Sequence, residues 1–422
     1  MAWVIFSCIC KFLYFFESYQ VIGNSITKIE KESGVKITFI EDSNEMGGAQ
    51  HSTFLLAEQI IKDKTADIRV LLPGEGRFTR LCQENKIPYS TYNQIPYVST
   101  SVSWFNDRIR IPNLFAWAFN IYAILINSIR IKKIVEQHFP HLAVTKGLHS
   151  HFSAGMACKS LNLPVIWHLQ DLISQRHCGI LDSIFNYIAK KIPDHIICDG
   201  KIIRDSLKKV VRERATTVLN GIKIDDLFRE KGAGLRFRKE FDIPADAYVI
   251  GNMARITPWK GQEFLLRAFI EYTGQNKNAY LMLVGSPMFG NDKYLKHIMQ
   301  LIDANGLGKN VIMPGYRTDL KEIFSAMDLF IYPSLEKDTS PLALLSALSA
   351  ALPVAISQIN SLDDVVSHCP SIDLFHLEDN GTLVRLMQKY ENLELRVQKG
   401  MKNQEFAASN FDILIHTQKG CL

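Results

Sequence analysis

Arg255 and Lys260 stand five residues apart in the stretch IGNMARITPWKGQEFLLRA, Ile250 to Ala268. Two cations about one helical turn apart suit a diphosphate better than a single carboxylate. Their setting fits that chemistry. An apolar run, Tyr248, Val249 and Ile250, stops at Gly251, a short polar link carries both cations, and Phe264, Leu265, Ala268 and Phe269 then recur at helical spacing. A strand that feeds a helix through a glycine-bearing loop leaves free backbone N–H groups at the helix start, which attract an anion. Two solvated surface cations beside a βα turn would read the same way, and this stretch alone does not choose between them.

A second candidate is His168. It follows the strand expected over Val165 to Trp167 and opens His168-Leu169-Gln170-Asp171, which puts it at the carboxyl edge of a sheet, facing whatever binds there. The bland alternative is a histidine that hydrogen-bonds a neighbouring loop. His149 and His151 lack the companions a zinc site needs and read as loop histidines. The eight cysteines include no CxxC pair and fall in apolar patterns, the profile of reduced structural thiols in a cytosolic protein.

The elements that must position these residues alternate. Val35 to Ile40 reads as a buried strand, Glu45 to Ala49 as a loop opening a helix, Ile68 to Leu72 as a strand, and a helix follows from about Phe78. Leu142 to Thr145, Ile196 to Cys198 and Thr216 to Leu219 continue the strands, with a loop at 147–153 and a helix from about Ala154. In the second half, Tyr248–Ile250, Tyr280–Val284, Val311–Met313, Leu329–Tyr332 and Val354–Ile356 each precede a helical pattern. Short apolar strands alternating with amphipathic helices argue for parallel βαβ units, whose ligands gather at the carboxyl ends of strands. Residues 113–136 form a long apolar helix. Asn120, Asn127 and the basic end (Arg130, Lys132, Lys133) fit a helix buried against a sheet better than a membrane span.

The chain's 422 residues exceed one core, and its 47% apolar and 22% charged residues are those of a soluble globular protein. The charge is uneven. Residues 1–220 hold 26 Lys and Arg against 19 Asp and Glu, a net +7, whereas residues 221–422 hold 22 against 24, a net −2. A basic first half favours an anionic surface or partner. The polar, glycine-bearing stretch over 220–245 marks the domain boundary. Residues 1–16, MAWVIFSCICKFLYFF, are apolar but too short and interrupted to span a bilayer. On a helix Ser7, Lys11 and Ser18 share one narrow polar stripe. The segment could lie on a membrane surface, dock on the protein, or be an extension from an upstream start codon.

With Gly47-Gly48-Ala49 after the first strand, HLQD, VLNGI, ARITPWKGQEFLLRAF, LMLVG and YPSLEKDTSPLALLSALSAALPVAIS, the chain resembles the retaining nucleotide-sugar glycosyltransferases of family 4, over roughly residues 34–410. The resemblance implies an α/β fold of the GT-B type, two facing Rossmann-like doubly wound domains with a central cleft. It implies an acceptor domain at 34–220 after an apolar extension at 1–33. A donor domain at 221–404 and a C-terminal helix at 405–422 packing back on the first domain complete the chain. It also implies a diphosphate held by Arg255 and Lys260 with backbone donors from Gly47 and Gly48. Gly285, Tyr316, Ser340, Leu342 and Ser346 complete donor binding, and His168 and Asp338 act on the transferred sugar. No metal and no cofactor is expected, because the cations do a metal's work. The expected partners are a nucleotide-diphosphate sugar, a glycan or lipid-linked acceptor and a peripheral membrane contact, with no nucleic acid. The expected location is cytoplasmic, at the inner face of the membrane.

The chain departs from that family at the acidic pair, two Glu seven residues apart, which falls on Asp338 and Ser346. Ser346 leaves one hydroxyl where a bidentate carboxylate usually takes the ribose. Pro341 removes one N–H from the phosphate cradle, so Ser340 and Leu342 must supply the donors. Asn360-Ser361 replaces a Gly-Gly, followed by Asp363 and Asp364. Two rival readings follow, a catalytically inactive partner protein on the same fold and a nucleotide-sugar 2-epimerase. The latter would need further acid–base groups that the sequence does not display. Acceptor specificity falls to loops such as 91–112 and 172–182.

Overall fold

The computed structural model describes residues 34–104, 109–172, 180–287, 292–336, 338–367 and 369–414. The apolar segment 1–16, most of the loop 172–182 and the tail after 414 lie outside them. The chain divides between Leu219 and Asn220 into two compact units.

The first unit holds strands β1 Lys36–Glu41, β2 Asp67–Leu72 and β3 Tyr89–Thr91, a hairpin of β4 Ser101–Trp104 with β5 Ile109–Pro112, and strands β6 Leu142–Lys146, β7 Val165–Leu169, β8 His195–Cys198 and β9 Ala215–Thr217. Outside the hairpin these strands make one parallel sheet, ordered β3-β2-β1-β6-β7-β8-β9. Its helices are α1 Gly48–Asp63, α2 Arg77–Glu84, α3 Leu114–His138, α4 Leu148–Ser160, α5 Ile180–Ala189 and α6 Lys201–Ser206, besides one single turn. Trp167, fully buried, stacks on His151 with ring centroids 5.0 Å apart and meets Phe152 edge-on. Burying such a side chain contributes roughly 1.5–3 kcal/mol.

The second unit repeats the plan with β10 Tyr248–Met253, β11 Ala279–Val284, β12 Val311–Gly315, β13 Leu329–Tyr332, β14 Val354–Ser357 and β15 Asp373–Phe375, ordered β12-β11-β10-β13-β14-β15. Its helices are α7 Lys231–Glu240, α8 Gln262–Thr273, α9 Asp292–Ala304, α10 Leu320–Ala326, α11 Leu342–Ser349, α12 Asn380–Lys389 and α13 Leu393–Phe411. In α8 the apolar spacing buries Leu265, Leu266, Ala268 and Phe269 against β10, β11 and β13. Helix α13 runs unbroken through position 404, where a boundary was expected, and Gly400 lies against the Ala351 backbone. Its last turn joins the strand-like pairing of Ile222 with Asp412. Both ends of the second unit therefore meet, and the described part of the expected C-terminal helix packs in that unit.

Strand order reverses between β1 and β6 in one sheet and between β10 and β13 in the other. Such switch points open a crevice at the strand ends. The Gly47-Gly48 loop follows β1 and the Arg255–Lys260 loop follows β10, so each stands at its unit's switch point.

Besides α13, three elements differ most from the sequence reading. Helix α4 begins at Leu148, six residues before the expected start, because His151 and Ser153 turn inward to hydrogen-bond Thr145 and the His149 carbonyl. Strand β7 extends through His168 to Leu169. The third difference is α3, which is not a core helix. Of its 25 residues only Ala116, Ala123, Asn127, Ser128, Ile131 and Val135 are buried.

Candidate functional site

In the second unit the link from β10 to α8 is pinned at both ends. Gln262, buried at the first turn of α8, donates from Nε2 to the Arg255 carbonyl at 2.7 Å. The Leu335 N–H donates to the Trp259 carbonyl at 2.8 Å. Gly261 closes the link at φ 70°, and a Cβ there would meet the Pro333 carbonyl oxygen at 1.9 Å. Only glycine allows this approach. At the end of β11, Gly285 adopts φ 141° with its Cβ direction 1.9 Å from the Ala254 carbonyl oxygen, which draws the β11 loop onto the one carrying Arg255. The Ile256 N–H fixes that contact by donating to the Ser286 carbonyl at 3.1 Å.

The two cations end in different situations. Lys260 Nζ lies 2.5 Å from Asp338 Oδ1 and 2.9 Å from the Tyr332 hydroxyl. The guanidinium of Arg255, half-buried, makes no hydrogen bond or ion pair among the described residues. Asp338 also accepts from the Tyr332 hydroxyl at 3.0 Å and from the Ser334 hydroxyl. Burial, then the nearby Asp338 carboxylate, push the Tyr332 phenol far above its ordinary range, so it stays a donor. A carboxylate has about four acceptor positions, and three donors already reach Asp338. Pro258, Trp259, Leu335 and Glu336 line a cavity of about 440 Å³ beside these groups.

The remaining donor-side residues occupy the next strand ends. Ser340 is tied to Asn220, whose N–H donates to Ser340 Oγ at 2.8 Å and whose Nδ2 donates to the Ser340 carbonyl at 2.9 Å. Pro341 caps α11, and its carbonyl accepts from the N–H groups of Leu344 and Leu345. The Leu342 N–H, at the first position of that helix, has no backbone partner among the described residues. Ser346 sits one turn further on, 5% exposed. Tyr316 follows β12 and is 42% exposed. Three buried polar atoms near the Arg255–Lys260 link (Asn252 Oδ1, Thr257 Oγ1 and Gln262 Oε1) have no hydrogen-bond partner among the described residues.

In the first unit Gly47 caps α1 without a side-chain acceptor, leaving the first-turn N–H groups of a 16-residue helix at the switch point. His168 does not sit past its strand but within it, with no exposed surface. Its Nε2 lies 2.5 Å from Asp199 Oδ1, and its buried Nδ1 has no partner among the described residues. Burial, then Lys146, lower the His168 pKa, so the ring is neutral and its Nε2–H donates to the Asp199 carboxylate. Burial works against ionisation of Asp199, yet His168, Lys146 and Gln170 together hold its pKa below the ordinary carboxylate value.

This histidine belongs to a charged row that the sequence reading missed. Register pairs Glu41 with Lys146 and Lys146 with His168 at the carboxyl ends of β1, β6 and β7, and all three side chains are essentially buried. Thr53 and Gln50 of α1 donate to the Glu41 carboxyl at 2.5 and 3.1 Å, and Lys146 Nζ reaches Ser52 Oγ at 3.2 Å. The row therefore seats the first turns of α1, and with them the Gly47-Gly48 loop. Burial raises the Glu41 pKa to about 7 despite Lys146, and burial lowers that of Lys146. A signal was present in the sequence. Glu41 and Lys146 each end a mostly apolar strand and Asp199 directly follows one, positions where an isolated charge is costly unless paired.

Two parallel-sheet Rossmann-like units of this kind define the GT-B fold. The Anabaena protein HepE, solved with UDP and glucose, superposes with a TM-score of 0.76 at 21% identity, covering 91% of this chain and 98% of that one. A family model for glycosyl transferases group 1 matches residues 235–408, which lie within the second unit. An uncharacterized glycosyltransferase of Methanocaldococcus jannaschii is 28% identical over 269 residues, which is 59% of this chain and 62% of that protein. The Escherichia coli UDP-Gal:alpha-D-GlcNAc-diphosphoundecaprenol alpha-1,3-galactosyltransferase is 28% identical over 190 residues, 44% of this chain and 46% of that protein. The matched stretches thus cover less than two thirds of the length of these two relatives.

Proposed function

We propose that the protein is a retaining glycosyltransferase that moves a sugar from a UDP- or GDP-type nucleotide-diphosphate sugar to a hydroxyl of a surface polysaccharide or lipid-linked glycan. The observation that carries this reading is the pinned Arg255–Lys260 link at the switch point of the unit that a glycosyl transferases group 1 model matches. A leaving nucleoside diphosphate gathers negative charge in the transition state, and cations fixed in advance lower the barrier without reorganising. Arg255 is available as the structure stands, and Lys260 becomes available if phosphate oxygens displace Asp338. The Leu342 N–H adds a donor, and no metal is needed. Asp338, once released, takes sugar hydroxyls. A named relative that uses UDP-galactose and a diphosphoundecaprenol-linked acceptor supports the donor and acceptor classes. The work would be done in the cytoplasm, at the inner face of the membrane.

Ser346 favours a second reading, an inactive GT-B partner protein, because the group that would take the ribose is a single buried hydroxyl. Titration calorimetry with UDP and GDP, together with donor hydrolysis, separates the two. Binding of a nucleotide with slow hydrolysis of its sugar is the expected result. Failure to bind either nucleotide at millimolar concentration would overturn the enzyme reading in favour of the partner protein.

A further inference from the structure

Helix α3 is amphipathic in an unusual sense, since its solvent side is the apolar one. Phe115, Phe119, Tyr122, Leu125 and Ile129 recur at spacings of three and four and share one face, and they are 90, 39, 52, 46 and 54% exposed. No charged residue occurs from Leu114 to Ile129. The polar groups of that stretch do not relieve this face. Asn120 exchanges two hydrogen bonds with the backbone of Val98, both at 2.9 Å. Asn127 does the same with Ile95, at 2.8 and 3.0 Å. The opposite, narrow stripe packs on α4. Exposed apolar surface on this scale marks a docking site.

The geometry points to the surface of an anionic lipid bilayer as its occupant, with α3 lying in the membrane plane. The helix is long and apolar enough to cross a membrane, but one side is already committed to α4 and to residues 95–98. It can therefore offer lipid only a single face, as interfacial helices do. Tyr122 is a residue type that settles at the headgroup level, and Phe115 and Phe119 are of the kind that interfacial helices bury on their apolar face. Arg130, Lys132 and Lys133 follow directly, opposed only by Glu136 in the remaining turns. With the +7 balance of residues 1–220, they supply the charge that anionic headgroups attract. This surface is separate from the residues assigned to donor chemistry, so lipid binding and turnover can each fail alone.

The test is flotation of the full chain with vesicles of equal parts phosphatidylglycerol and phosphatidylcholine, compared with phosphatidylcholine alone. The wild type is expected to float with the anionic vesicles and much less with the neutral ones. Leu125→Glu combined with Ile129→Glu should cut flotation roughly tenfold or more, since charged groups are costly in the bilayer, while Tm and hydrolysis of a soluble donor stay unchanged. Phe115→Ser, at the most exposed position, gives a second variant should the double one fold poorly. Lys132→Gln with Lys133→Gln should weaken binding to anionic vesicles only. Undiminished flotation of folded face variants, as when residues 1–16 alone hold the protein, overturns the assignment. So does a wild type that floats with neither vesicle, or one that elutes as a dimer, binds no lipid, and becomes monomeric in the double variant, which would make the face a contact between copies.

Discussion

Lys260 Nζ and Asp338 Oδ1 are 2.5 Å apart, with only 12% and 16% of their side chains exposed. The pair closes the gap between the link after β10 and the loop after β13, and Tyr332 hydrogen-bonds to both partners. An ion pair this enclosed is held against water, yet it joins two residues whose separate roles would each require release. In the proposed function nucleotide binding would be an exchange at Lys260, with diphosphate oxygens taking the place of the carboxylate.

That exchange predicts opposite effects for the two partners. Arg255→Ala and Lys260→Ala should each lose a charge-assisted bond to the diphosphate, worth ~1.5–3 kcal/mol, or roughly a 10- to 150-fold weaker affinity for UDP or GDP. Asp338→Ala should leave nucleotide affinity equal or tighter, because Lys260 no longer has a competitor, while transfer is lost. Calorimetry on the three variants, with Tm as the control for folding, reads both. Equal affinity in wild type and in both cation variants would sink the diphosphate assignment.

Metal dependence follows from the same charges. With Arg255 and Lys260 supplying positive charge to the leaving group, donor hydrolysis should be unaffected by EDTA and by added magnesium. A loss of turnover in EDTA that magnesium restores would show that the cations are insufficient.

Much of this was legible because parallel strands buried on both faces write themselves as continuous apolar runs. β1, β6, β8, β10, β11, β13 and β14 all start within one or two residues of the sequence reading, and the glycine-bearing loops that follow β1 and β10 mark both switch points. What escaped was pairing between distant strands. Nothing local at Glu41, Lys146 or His168 announces that register aligns them. His168 reads as standing just past its strand and facing a ligand, because one polar residue after an apolar run resembles a strand end. It lies instead within β7 and is bonded to the buried Asp199 that follows β8. Helix α3 misled for the reverse reason, since apolar composition alone cannot tell a helix covered by protein from one left uncovered.

The charged row has a measurable pH signature. Burial holds the Glu41 pKa near 7 in the folded state, above its ordinary 4.5. Between these values the unfolded chain has lost a proton that the folded one keeps, so this group's contribution falls as pH rises through the window. Glu41→Gln mimics the protonated form, retaining an acceptor for Thr53. The stability difference, variant minus wild type, should therefore grow from about pH 5 to pH 7 by an amount on the order of 2–3 kcal/mol. Because His151, held down to about 3 by burial, acts oppositely as pH falls below its ordinary 6.5, the comparison must be with wild type at each pH. A difference that stays flat across the window would mean that Glu41 is ionised throughout.

Ser346 separates the enzyme from the inactive partner. A serine offers the ribose one neutral oxygen where a carboxylate would accept two bonds, a loss of ~1 kcal/mol, or about fivefold in affinity, that Arg255 and Lys260 can absorb. Ser346→Glu should therefore tighten UDP or GDP binding by about that factor. The position is 5% exposed on α11, so without nucleotide the new carboxylate is buried with no ribose to accept from, and the ligand-free protein should melt lower than wild type. Saturating nucleotide should raise the variant's Tm by more than it raises that of the wild type, since the ligand both binds and relieves the buried charge. Transfer should survive. A variant that melts lower and shows no larger nucleotide shift would place position 346 away from the ribose, and the serine would then say nothing about whether the protein is active.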